Sequence, residues 1–156
     1  MIAKRTAIAT AVAGVLDILS AFVFAGMNGG TPARVLTGIA SGPFGRAVLE
    51  QPWAPALGLA IHFAIMTAMV SVYALVAARQ PRLLARTGPV LAGIGYGLAL
   101  YLFMYWIVLP LRWPDIHPLT QFGQIAKAVF AHVVCVGLPI AFLAGPAPRA
   151  AMVAEA

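Results

Sequence analysis

Acidic side chains are scarce: the 156 residues include 4 Asp and Glu against 10 Lys and Arg, and charged residues make up 9% of the chain. Soluble domains keep about a quarter of their residues charged, so an ordinary water-exposed surface is excluded. The single cysteine, Cys135, excludes an intramolecular disulfide framework and the multi-cysteine zinc patterns. The basic residues are scattered through short connections and form no stripe, which argues against a nucleic-acid partner despite the net charge of +6. Also missing are a Gly-rich phosphate loop, a nucleophile elbow, an HExxH helix and a pair of glycosidase-like carboxylates. An active site of the kind found in soluble enzymes is therefore unsupported, and enzymatic function ranks below the non-enzymatic readings.

What fills the chain is apolar sequence, 62% of residues. A hydrocarbon layer about 30 Å thick needs roughly 20 apolar residues of helix, and four runs meet that length, at about 6–27, 54–78, 89–109 and 123–144. The expected fold is all-α: a single domain over residues 1–156, an integral membrane bundle of four transmembrane helices. Lys4 and Arg5 ahead of the first run resemble a signal peptide, but Asp17 in its middle favours a retained helix. Between the first two runs, Asn28 to Trp53 is too polar and too interrupted to cross. There Thr31-Pro32 reads as an N-cap with a first-turn proline, and Ser41-Gly42-Pro43 as a break, which predicts a short helix lying at the interface.

Charge sets the expected orientation. Lys4, Arg5, Arg79, Arg82, Arg86 and Arg149 fall on the side of the termini, and Arg34, Arg46, Arg112 and Lys127 on the other. The positive-inside rule then places both termini in the cytoplasm, with the interfacial helix and the link carrying Trp113, Asp115 and His117 outside.

Ionisable side chains inside the runs are the candidates for chemistry. Asp17 against lipid would cost about 2.5–3.5 kcal/mol, so it is expected to face inward. Thr10, Ala13, Gly14, Ser20 and Ala21 share its face and allow another helix to approach. His62 shares a stripe with Gly58, Ile65, Met66, Met69 and Tyr73, and His132 one with Gln124, Ala128, Cys135 and Pro139. Centring each run puts Asp17 and His132 near mid-depth, Tyr101 a little towards the outer side and His62 roughly 6 Å towards it. Asp17, His62, Tyr101 and His132 are thus the candidate ligand- or proton-binding group. Lys127, near the end of its run, is expected to snorkel. Gly93 and Gly97 form a GxxxG pair on the third run.

Several short runs together resemble a group of small four-span inner-membrane proteins of bacteria that have no assigned activity. They are Gly14 to Asp17, Ile39-Ala40-Ser41-Gly42 with Gly45, Leu59 to Phe63, Val108-Leu109-Pro110-Leu111, and His132 with Gly137-Leu138-Pro139-Ile140-Ala141. The resemblance implies four helices and an inner-membrane location, and supplies no catalytic residue.

Three functional classes remain open on these residues. The leading one is a small multi-pass protein that binds or moves a small solute or protons through a buried Asp/His core. The second is a scaffold or accessory subunit of a larger membrane complex, or a homo-oligomer, packing through the glycine-rich third span. The third is haem or transition-metal binding, with His62, His132 and Cys135 as donors. The expected cofactor is none, and the expected partner is the lipid bilayer.

Overall fold

The computed structural model describes residues 2–115 and 119–146, so His117 and Arg149 lie outside the described residues. Those residues form helices and turns with no strand. Helix α1 covers Ile2–Gly26, α2 Pro32–Phe44 and α3 Ala54–Arg79, while α4 runs over Pro81–Arg112 and α5 over Phe122–Ala144. Four of them, α1, α3, α4 and α5, are long and apolar enough to cross a membrane, which makes this a multi-pass helical membrane protein. Large apolar side chains such as Val23, Val72, Leu91 and Phe142 face outward on all four, where lipid replaces water as the neighbour.

The spanning helices form an arc in the order α3, α1, α5, α4, and α3 meets α4 only loosely. Small residues set the close contacts. A Cβ on Gly137 of α5 would collide with the carbonyl oxygen of Gly93 on α4, and one on Gly97 would stand 2.6 Å from the Cα of Val133. The GxxxG pair is therefore used inside the fold, backbone against backbone. At the crossing of α1 and α3, a Cβ on Gly14 would lie 2.6 Å from the Phe63 ring. One face of α3 is buried at roughly four-residue spacing, through Gly58, His62, Met66, Val70, Tyr73 and Ala77.

Helix α2 begins as its sequence predicts, with the Thr31 hydroxyl accepting from Arg34 N at 3.3 Å and Pro32 in the first turn. Its end differs from expectation: the helix passes through Pro43 and stops at Gly45, whose φ of 77° a side chain would resist. The last carbonyls have partners there. Gly45 N and Arg112 Nη2 both donate to Ser41 O, and Arg112 Nε donates to Gly42 O at 2.7 Å. Helix α2 also lies hard against α3, since a Cβ on Gly58 would collide with the Leu36 carbonyl.

The basic connection after α3 is shorter than the sequence suggests, because Pro81 already starts a helix that breaks at Gly88 (φ 73°) and resumes at Pro89. Further along, α4 and α5 each widen for one stretch to i→i+5 hydrogen bonding, over Met104–Val108 and Ala131–Gly137. Each stretch is followed by Leu-Pro. Pro110 cannot donate to Trp106 O, nor Pro139 to Cys135 O, so each helix absorbs an extra residue just before its proline. Leu109 N donates to Met104 O, and Leu138 N to Val133 O.

Candidate functional site

Three of the four residues singled out in the sequence converge. Asp17 projects from α1 towards His62 on α3, with His62 Nδ1 3.9 Å from Asp17 Oδ2. His62 is buried, and its Nε2 donates to the Gly14 carbonyl on α1 at 2.9 Å. That bond fixes the tautomer: with the proton on Nε2, the nitrogen facing Asp17 is either a bare lone pair or a second N–H. His132 is held in the same manner from within its own helix, Nδ1 donating to Ala128 O at 3.0 Å. Each imidazole thus has one nitrogen committed to a backbone carbonyl and one left for the core.

Tyr101 joins this group at one remove. It is buried and stacks on Tyr105 at 5.2 Å between ring centroids, with its ring 6.2 Å from that of His132. Tyr105 is the residue that sequence reasoning missed. The aromatic end of the third run reads as an interfacial belt, yet Tyr105 turns inward, its ring 5.6 Å from that of His132, while Trp106 points outward. Tyr105 and His132 both sit on the widened turns, the second residue of each. Such turns recur at functional sites because they re-aim side chains without ending the helix.

Two cavities meet at this group. The first, a vestibule of about 640 Å³ between α1, α4 and α5, is lined by Asn28, Gln121, Gln124 and Lys127 at its polar end. The Lys127 Nζ sits 5.7 Å above the Phe24 ring, a cation–π contact. The second, a chamber of about 370 Å³ where α3 and α4 part, is lined mainly by apolar side chains, among them Ile61, Ile65, Met66, Met69 and Met104. The end of α2 and Trp113 close one side of it. Asp17, Tyr105 and His132 line both cavities, so they form the wall between them.

No family model, curated protein or solved structure matches the chain. The site therefore has to be read from its own chemistry.

Among the described residues no three His, Cys, Asp or Glu side chains gather into a metal site. Cys135 is buried beside Ser20, whose hydroxyl donates to Asp17 O at 2.8 Å. Axial ligation of haem by His62 through Nε2 would break its bond to Gly14. A carboxylate flanked by two imidazoles of fixed tautomer, beside a chamber within the usual size range for ligand pockets, can instead hold a proton, a small ligand or both. In the link after α4, Trp113 reaches the chamber and Asp115 is exposed.

Proposed function

We propose that the protein binds a small solute at the Asp17-His62-His132 core and couples that binding to a proton, from the bacterial inner membrane and with both termini in the cytoplasm. The observation that carries the reading is the shared wall: Asp17, Tyr105 and His132 border both the polar vestibule and the apolar chamber, and His62 stands 3.9 Å from Asp17. Any molecule or proton passing between the two spaces meets Asp17, the one carboxylate inside the bundle among the described residues. The location rests on the resemblance to small four-span bacterial inner-membrane proteins, and the orientation on the basic residues near the termini and at Arg79, Arg82 and Arg86.

The accessory-subunit reading has less behind it, because Gly93 and Gly97, the face it requires, already pack on α5.

The test is extraction of small molecules from the purified protein, with mass spectrometry of the wild type and of folded Asp17→Asn and His132→Gln variants. A solute that accompanies the wild type and is lost from both variants is expected, with proton uptake or release when it is added back in weak buffer. No solute, or one that both variants retain, rejects the proposal. Orientation is tested separately by Gln80→Cys and Asn28→Cys in a Cys135→Ala background. A membrane-impermeant maleimide is expected to label intact spheroplasts at position 28 and to spare position 80, and the reverse pattern inverts the topology.

A further inference from the structure

The chamber's lining says what kind of molecule it takes. Among the described residues Asp17 is the one carboxylate that lines it and no Lys or Arg does; its walls are otherwise aliphatic, thioether and aromatic, apart from the two imidazoles. Neither basic side chain nearby lines it: Lys127 lies in the vestibule over Phe24, and Arg112 is bonded to the Ser41 and Gly42 carbonyls, with its guanidinium 5.6 Å over the outer wall residue Trp113. Among the described residues the only ion-pair partner within 4 Å of Asp17 is His62, at 3.9 Å, beyond hydrogen-bonding distance. A carboxylate at bilayer depth with so loose a partner leaves a place for a positive charge. The Tyr105 ring and the three methionine sulfurs add polarisable surface of the kind that suits an ammonium group on an apolar body.

We propose that the solute bound in the chamber is a lipophilic organic cation, an amine or quaternary ammonium carried on an apolar body, with its charge placed against Asp17. This deepens the reading above and rests on it. An anion would meet the Asp17 carboxylate, with no Lys or Arg among the described lining residues to offset it. A purely apolar molecule would leave the Asp17 charge with His62 alone. His62 on α3 and His132 on α5 set the competition, because a proton on either imidazole supplies the positive charge that the ligand would otherwise bring. Tyr105 on α4 and the Cys135 thiol on α5 also stand near the carboxylate.

The test uses the full chain in detergent with Trp53→Phe and Trp106→Phe, which leaves Trp113 as the single fluorescent reporter on the chamber wall. Three probes of similar size are titrated: benzyltrimethylammonium, its neutral carbon isostere neopentylbenzene, and phenylacetate. The cation is expected to bind at least tenfold more tightly than the isostere, with phenylacetate weakest. Asp17→Asn is expected to remove that preference while leaving the isostere unchanged. Should Asp17→Asn fail to fold, Ile65→Phe narrows the chamber with the carboxylate in place and is expected to weaken cation and isostere alike. Equal binding of cation and isostere, tighter binding of phenylacetate, or no binding of any probe overturns the inference. So does cation binding that survives both substitutions. A co-purifying neutral solute that is lost from Asp17→Asn would leave the proposed function standing and remove the cation class alone.

Discussion

Replacing Gly137 by alanine tests the packing on which the site depends. The added Cβ would collide with the Gly93 carbonyl oxygen and stand 2.8 Å from both the nitrogen and the Cα of Gly97. All three atoms are backbone, so no side-chain rotation relieves the contact. Restoring ordinary separation requires α4 and α5 to part by about 1 Å, and a gap of that size forfeits up to about half of each dispersion contact along the seam. Overpacking of this kind costs about 1–3 kcal/mol, which multiplies the population of opened molecules by about 5 to 150. Cys135 reports it directly: it lies on α5, is 8% exposed, and is the only thiol in the chain. Its labelling by a fluorogenic maleimide in detergent should accelerate by that factor when reaction is slow relative to reclosing. Gly95, two residues from Gly97, faces outward with nothing within 4 Å of an added Cβ. Gly95→Ala should therefore leave labelling unchanged or slow it, since alanine favours helix over glycine by about 1 kcal/mol. If Gly137→Ala labels no faster than wild type, the backbone contact between α4 and α5 is wrong, and the placement of Tyr105 against His132 falls with it.

Arg112→Lys keeps the charge but loses the fork that reaches both the Ser41 and Gly42 carbonyls, so the end of α2 should loosen by about 1 kcal/mol. Trypsin cleavage after exposed Arg46 should quicken several-fold, and an unchanged rate would show that the clasp is dispensable. His62→Phe preserves the ring's bulk and removes its hydrogen bond to Gly14 O, an interhelical bond of a kind worth about 0.6 kcal/mol and at most about 2 in membranes. Its Cys135 labelling should rise about threefold and no more than about thirtyfold; a larger rise would mean that the Asp17-His62 contact carries more of the fold than its 3.9 Å separation implies.

The four spans were legible because hydropathy averages over some twenty positions, so single exceptions such as Asp17 or Lys127 do not disturb it. The inward turn of Asp17, His62 and His132 was legible for a related reason: exposure of an ionisable group to lipid is costly enough to dictate which way a helix rotates. Tyr105 was less legible. Its place in an aromatic helix end reads as an interfacial belt, although the four-residue spacing from Tyr101 puts it on the same face and is the signal that would have found it. The end of α2 at Gly45 was hidden too, since the partner that satisfies its carbonyls, Arg112, lies about 70 positions away in the chain. The break at Gly88 escaped notice because a glycine followed by proline between two apolar stretches reads equally well as a loop.

The swollen turns in α4 and α5 put each of these helices out of phase with itself. The half of α5 before its turn shows Gln124, Lys127 and Ala128 to the vestibule, while the half after it buries Ile140, Ala141 and Ala144 in the apolar core. On an uninterrupted cylinder Gln124 and Ile140 would stand about 160° apart, on nearly opposite sides. The surplus residue winds the later half back by about 100°, so the wet and dry portions of the bundle are served from neighbouring sides of one rod.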